Sequence, residues 1–203
     1  MNEHERIVEE YLVYSWPDVI KEEYWFGKQP GDLNEAIVRA CISERPSPIH
    51  GRLVKHSHQL SIPPKSLAQC NDSLAARAHD LQQSVDFEQL HERIGTHIGK
   101  FERIGVLTIY DISLRIGWFL DLNPTVIYLH AGTRIGAEAL IAKVTGARLD
   151  LSKLPAAFQK LTPSQAEDVL CRYKDEFLNP GSFEPGVRTG ACAPSGKRIH
   201  RNC

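Results

Sequence analysis

The chain has 203 residues, of which 42% are hydrophobic and 24% are charged, and its formal net charge is −1. This length and composition predict a soluble globular protein whose core needs no disulfide. No apolar run approaches the roughly 20 residues needed to cross a bilayer, so we expect no membrane contact.

The cysteines and the amino terminus indicate the compartment. Five cysteines, an odd number, are scattered along the chain. The first ten residues are acidic and lack the basic and apolar character of a secretion signal. We therefore expect a cytoplasmic protein with reduced thiols and without a cofactor.

Amphipathic patterns predict helices through the first half of the chain. The first covers residues 5–14 and ends at Trp16-Pro17, because the residue before a proline disfavours the helical conformation. Further helices are predicted over residues 35–43, capped by Asp32 or Asn34, and over residues 66–84 and 86–99. The proline-rich residues 44–65 predict an irregular connection with a short strand over residues 52–55.

The second half continues as short helices joined by glycine turns. Thr108 to Asp111 matches a capping box, which predicts a helix from Thr108 that ends at Leu122-Asn123-Pro124. Another short helix is predicted from Thr125 to Gly132, and residues 136–140 continue helically with small residues suited to close packing. Thr162-Pro163 predicts the start of a helix that contains Cys171, whose thiol we expect to be buried.

Together these elements predict a mainly α-helical fold. We expect one multi-helix domain over residues 1–178, with a helix-hairpin-helix-like element at about residues 94–141. Gly and Pro recur from residue 179 onward, which predicts a flexible tail over residues 179–203.

The segment FERIGVLT, residues 101–108, resembles the hairpin of helix-hairpin-helix proteins, which reads apolar, any residue, Gly, apolar, Gly, two residues and often Thr. In that family the hairpin amides and the following helix end bind a DNA phosphate. Gly105 and Thr108 fit the motif, whereas Arg103 stands where the first glycine is expected. An arginine there is able to contact a phosphate through its own side chain.

The segment PTVIYLH, residues 124–130, is similar to the region after the hairpin in the helix-hairpin-helix DNA glycosylases. The catalytic aspartate of those enzymes has no counterpart, since Leu129 or His130 is the nearest match. Leu107 stands at the position of their lyase lysine. The resemblance therefore supports DNA binding more than base excision.

The charge distribution agrees with this expectation. Residues 93–148 carry seven Lys/Arg against four Asp/Glu, whereas residues 1–35 carry nine Asp/Glu against three Lys/Arg. A cationic region raises the local concentration of a polyanion. The residues expected to contact nucleic acid are Arg103, Gly105, Thr108, Arg115, Arg134 and Lys143.

Three other interpretations stay open. Gly105 is equally compatible with a simple turn between packed helices. The acidic amino-terminal helix or the carboxyl-terminal tail would suit a protein partner. A degenerate glycosylase-like enzyme would draw an acid/base cluster from His130, Asp111 and Tyr128, if they converge in space.

Two groups of residues carry ligand atoms suited to metals. His50, His56 and His58 lie close together, but no neighbouring Cys or carboxylate completes a tetrahedral set, which favours a polar or phosphate-facing surface loop. Cys171, Cys192, His200 and Cys203 supply the number of ligands that a structural site needs. Their spacing fits no common zinc knuckle, so we expect incidental thiols and no metal.

Overall fold

The computed structural model describes residues 1–47 and 51–185. Within them the fold is mainly helical, with two small antiparallel sheets, which confirms the predicted fold class. The chain divides into a terminal unit, residues 1–19 with residues 125 onward, and a central unit, residues 20–124. Over the part of the chain that is described, no helix is both long and apolar enough to span a membrane.

The helices are α1 (Glu3–Glu10), α2 (Trp16–Glu23), α3 (Leu33–Ile42), α4 (Pro64–Ala75), α5 (Ala78–Gln82), α6 (Phe87–Ile98), α7 (Val106–Leu120), α8 (Ala131–Leu140), α9 (Pro163–Arg172) and α10 (Lys174–Leu178). The strands are β1 (Glu44–Pro46), β2 (Leu53–Lys55), β3 (Ile127–Tyr128) and β4 (Arg148–Leu149). Two π-helical turns, Tyr11–Ser15 and Tyr24–Lys28, and three 3₁₀ turns, Ser57–Gln59, Leu151–Lys153 and Ala156–Lys160, complete them. Glu44 pairs with Lys55 in one sheet, and Ile127 pairs with Leu149 in the other.

The core of the central unit lies among α3, α4, α6 and α7. Their apolar faces bury a continuous cluster that includes Ile37, Leu74, Ile94, Ile112 and Ile116. The predicted helices over residues 35–43 and 86–99 are confirmed, and the side chains of Asp32 and Asp86 cap them by accepting from backbone amides. Burial of these apolar stripes is the main stabilising contribution in this unit.

The core of the terminal unit lies among α1, α8, α9 and α10. Val8, Leu170, Tyr173 and Phe158 are fully buried in it. Phe183 is also buried, and its ring lies edge-on to that of Tyr173 at 6.3 Å between centroids. Packing therefore continues beyond residue 178, while residues 186–203 of the predicted tail lie outside the described residues.

Two predicted features of this unit are confirmed. Thr162 forms a capping box with Gln165 at the start of α9, and the thiol of Cys171 is buried within that helix. Gly136 lies where α8 meets the backbone of Leu170 so closely that a Cβ would overlap its carbonyl group. The small residues of α8 thus permit the close helix contact that the sequence predicts.

The predicted helix end at Trp16-Pro17 is wrong. The amide of Trp16 donates to the carbonyl of Tyr11, five residues earlier, which makes a π turn just before Pro17. This turn shifts the hydrogen-bond register by one residue where proline has no amide to donate. The chain consequently continues as α2 through Pro17.

Two helix starts in the second half are also corrected. α7 begins at Val106 with Gly105 as its N-cap, so Thr108 lies inside the first turn and is buried. The helix predicted from Thr125 is replaced by β3, whose residues pair with β4 about twenty positions later. Pairing with a distant segment overrides the local pattern there, and α8 starts only at Ala131.

Candidate functional site

The connection between α6 and α7 is a tight hairpin within the central unit. The amide of Ile104 donates to the carbonyl of Phe101 at 3.2 Å, and Arg103 between them has a φ of +60°. That left-handed conformation is the one that favours glycine. Arg103 therefore has a left-handed backbone conformation that residues other than glycine rarely adopt.

The hairpin leaves the amino terminus of α7 open. Gly105 caps the helix without a side chain, and a Cβ placed on it would meet none of the described atoms within 4 Å. Val106, the first helical residue, is 70% exposed. The first-turn amides of a helix lack intrahelical partners, and the helix dipole places partial positive charge there. This end of α7 is thus suited to an anion.

Close packing holds the hairpin in place. Ile104 is buried in the central core beneath it. Gly95 in α6 and Gly99, which caps it, face the side chain of Ile109 in α7, so the two helices are in contact beside the hairpin. Lys100 and Arg103 are both exposed beside the turn, together with Glu102. The anion-suited end therefore lies on a rigid support with a small excess of positive charge.

The other expected phosphate contacts are placed elsewhere. Arg115 is 4% exposed, and its guanidinium donates to the carbonyl of Ala40 and lies over the ring of Phe26. The expectation that Arg115 contacts phosphate is therefore corrected, because its side chain is buried. The side chain of Thr108 is buried as well. Arg134 and Lys143 belong to the terminal unit, whereas the hairpin belongs to the central unit.

A second feature of the central unit is a buried cluster of polar side chains. His58 Nδ1 lies 2.9 Å from Asp111 Oδ2, and Gln59 Nε2 donates to the same oxygen at 2.7 Å. Ser43 Oγ in turn donates to Gln59 Oε1 at 2.8 Å. A continuous chain of hydrogen bonds therefore holds the Asp111 carboxylate in one position.

His56 and a second carboxylate, that of Glu22, lie beside this series of hydrogen bonds. The rings of His56 and His58 are in edge contact, with centroids 4.6 Å apart. His56 Nε2 lies 4.0 Å from Glu22 Oε2, and Arg45 Nε lies 3.1 Å from Glu22 Oε1. The antiparallel pairing of β1 with β2 brings these residues together, and the amide of His56 donates to the carbonyl of Ser43.

Burial and neighbouring charges set the protonation states in the cluster. Burial lowers the pKa of His56 well below its usual value, and the positive charge of Arg115 lowers it further. Burial would raise the pKa of Asp111, but His58 and Arg115 outweigh it and hold that pKa far below its usual range. The cluster thus contains a neutral imidazole next to an ionised carboxylate at neutral pH.

The expectation that His56 and His58 lie on a surface loop is therefore corrected. Their side chains are only 11% and 16% exposed. The carboxylate missing from the local sequence comes from α7, 53 residues after His58. Asp111 and Arg115 stand four residues apart on the buried side of that helix. Two charged residues within an otherwise apolar helical face were the one feature of the sequence that indicated a buried polar cluster. His50 lies outside the described residues.

The three residues considered for acid/base chemistry do not share one unit. Asp111 contacts His58 in the central unit, whereas Tyr128 and His130 belong to the terminal unit. His130 Nε2 is paired with Glu167, to which Thr133 Oγ1 also donates at 2.7 Å. Arg148 lies over the ring of Tyr128. Each candidate thus has its own set of partners.

The cysteine and histidine residues considered as metal ligands are only partly described. Cys171 packs against Gly132 in the terminal unit, while Cys192, His200 and Cys203 lie outside the described residues.

Cys70 is buried in the core of the central unit, where desolvation raises the pKa of its thiol to about 11. That thiol is consequently protonated and unreactive at neutral pH.

Comparisons with protein-family models, curated proteins and solved structures give no match to this chain.

Proposed function

We propose that the protein binds nucleic acid, most directly duplex DNA, through the hairpin between α6 and α7 and without catalysing a reaction on it. The observation that supports the proposal is the backbone of Arg103, whose φ of +60° favours glycine at the position where the motif has its first glycine. The motif resemblance and the local geometry agree at the same residue.

The proposed contact is a DNA phosphate at the amino terminus of α7. Its oxygens would accept from the first-turn amides, since Gly105 places no side chain over them. Arg103 and Lys100 would add charge-assisted contacts at the rim, because both are exposed there. Such contacts recognise the backbone and not the base sequence.

The hairpin is tested by Val106→Asp and Arg103→Gln. Aspartate at the first helical position places a carboxylate where the phosphate would bind, yet it is favourable for the helix itself. We expect Val106→Asp to lower affinity for a fluorescent 20-base-pair duplex about tenfold or more, without loss of thermal stability. Arg103→Gln is expected to weaken binding less and to reduce the salt dependence of log K by about 0.9, which corresponds to one phosphate.

Lys28→Gln is the matched control. Lys28 Nζ pairs with Asp121 at the opposite end of α7, about 22 Å from Gly105 along the helix axis. Removal of this charge is expected to leave DNA affinity unchanged, and Val106→Asn controls for the loss of the valine side chain. Parent protein without salt-dependent affinity, or Val106→Asp binding as tightly as Val106→Asn, would contradict the proposal.

A further inference from the structure

We propose that His56, His58 and Asp111 form a binding site for a divalent transition-metal ion in the central unit. One ligand atom from each side chain lies within 4.8 Å of the others. This site is independent of the hairpin and of nucleic-acid binding, since it is built from the β1–β2 region and the middle of α7.

The ligand set favours particular metals. Two imidazoles with one carboxylate suit zinc and the later first-row ions, and three protein ligands leave a coordination position open. Magnesium and calcium prefer all-oxygen sets and gain little from imidazole. The positive charge of Arg115, which acts on both His56 and Asp111, opposes every divalent cation alike, so the selectivity rests on the two imidazoles. The site is therefore expected to select zinc or cobalt over magnesium.

The surrounding residues hold the ligands in the manner of an outer coordination shell. Gln59 donates to Asp111 Oδ2, and Ser43 fixes Gln59 from the other side. The backbone of His56 is tied to Ser43 beside the β1–β2 sheet. Such support orients ligand side chains and raises metal affinity. Arg45 pairs with Glu22, and its positive charge compensates the negative charge of the Glu22 carboxylate next to His56.

The ligand atoms need only a small rearrangement to surround an ion. Ligand atoms of a tetrahedral zinc site lie about 3.3 Å apart. Even a separation at the 4.8 Å limit would therefore have to close by only about 1.5 Å. His58 Nδ1 and Asp111 Oδ2 are already 2.9 Å apart, so rotation of the imidazole rings is the main adjustment. His56 Nδ1 accepts from the amide of His58 at 3.4 Å, a long hydrogen bond that rotation of the ring toward a metal would replace.

The test is titration of the full chain, stripped with a chelator, by calorimetry with Zn²⁺, Co²⁺ and Mg²⁺. We expect one equivalent of Zn²⁺ to bind, Co²⁺ to bind with visible absorption bands, and Mg²⁺ not to bind. His56→Gln and His58→Gln are each expected to weaken zinc binding at least tenfold. His79→Gln is the matched control, because His79 is exposed and bonds to Gln83.

Zinc held by thiols elsewhere in the chain is distinguished by a Cys192→Ser/Cys203→Ser variant and by the cobalt spectrum. Retained binding in that variant, without thiolate charge-transfer bands, supports the site. Loss of binding there, unchanged affinity in both histidine variants, or no zinc binding by the parent overturns it. If the histidine variants fail to fold, imidazole ¹⁵N shifts of the parent decide: two histidines must change on addition of zinc, and none changing overturns the proposal.

Discussion

Gly136→Ala is expected to lower the free energy of unfolding by about 3 kcal/mol or more. The added Cβ would overlap the carbonyl oxygen of Leu170 and lie 2.9 Å from its carbonyl carbon. Both atoms belong to the backbone of α9, which cannot move aside as a flexible side chain can. The clash therefore separates α8 from α9 and loosens the core of the terminal unit.

Gly95→Ala provides the matched comparison, since Gly95 also lies inside a helix. A Cβ there would meet Ile109 Cγ2 at 3.6 Å, which is ordinary van der Waals contact. Alanine is favoured over glycine in a helix by up to about 1 kcal/mol, so stability should be unchanged or higher. Urea denaturation followed by circular dichroism measures both variants. Equal stability of Gly136→Ala and the parent would show that α8 and α9 are not packed as described.

Asp111→Ala is expected to cost about 3–5 kcal/mol of unfolding free energy. The substitution removes the larger of the two carboxylate contributions, from Asp111 and Glu22, that compensate the buried Arg115, and it removes the acceptor of Gln59 Nε2. A buried charge without compensation is far more costly than the pair itself is stabilising. The same denaturation measurement gives the difference directly.

Lys28→Gln gives the contrasting case of an exposed pair. Lys28 and Asp121 are 47% and 79% exposed, so solvent screens their interaction. Loss of that pair should cost at most about 1 kcal/mol. If Asp111→Ala were as mild as Lys28→Gln, the polar cluster would not depend on the Asp111 carboxylate, and the account of the site given above would be contradicted.

Local chemistry in the sequence predicted helix starts where one side chain determines them. Asp32, predicted as one of two candidates with Asn34, and Thr162 each cap a helix from within the same turn, and the structure has both caps. The proposed capping box at Thr108 failed for a physical reason. Its carboxylate partner, Asp111, is held by His58 and Gln59, which are more than 50 residues away in sequence.

Long-range contacts also explain the remaining differences. The pairing of Ile127 with Leu149 makes a strand where the local pattern favours a helix. The hairpin motif could be recognised in the sequence because its residues are contiguous. The left-handed backbone of Arg103 could not be predicted from them. The polar cluster could not be predicted from the sequence, because His58 and Asp111 come into contact only when β1, β2 and α7 are packed together.

Nuclear magnetic resonance offers the most direct test of binding at the hairpin. The ¹H–¹⁵N spectrum of the protein would be followed while a short DNA duplex is added at low salt. We expect the amide signals of Gly105, Val106 and Leu107 to shift first and most strongly, because the phosphate would accept from the first turn of α7. Shifts confined to other regions of the chain, or no shifts with DNA in excess, would contradict it.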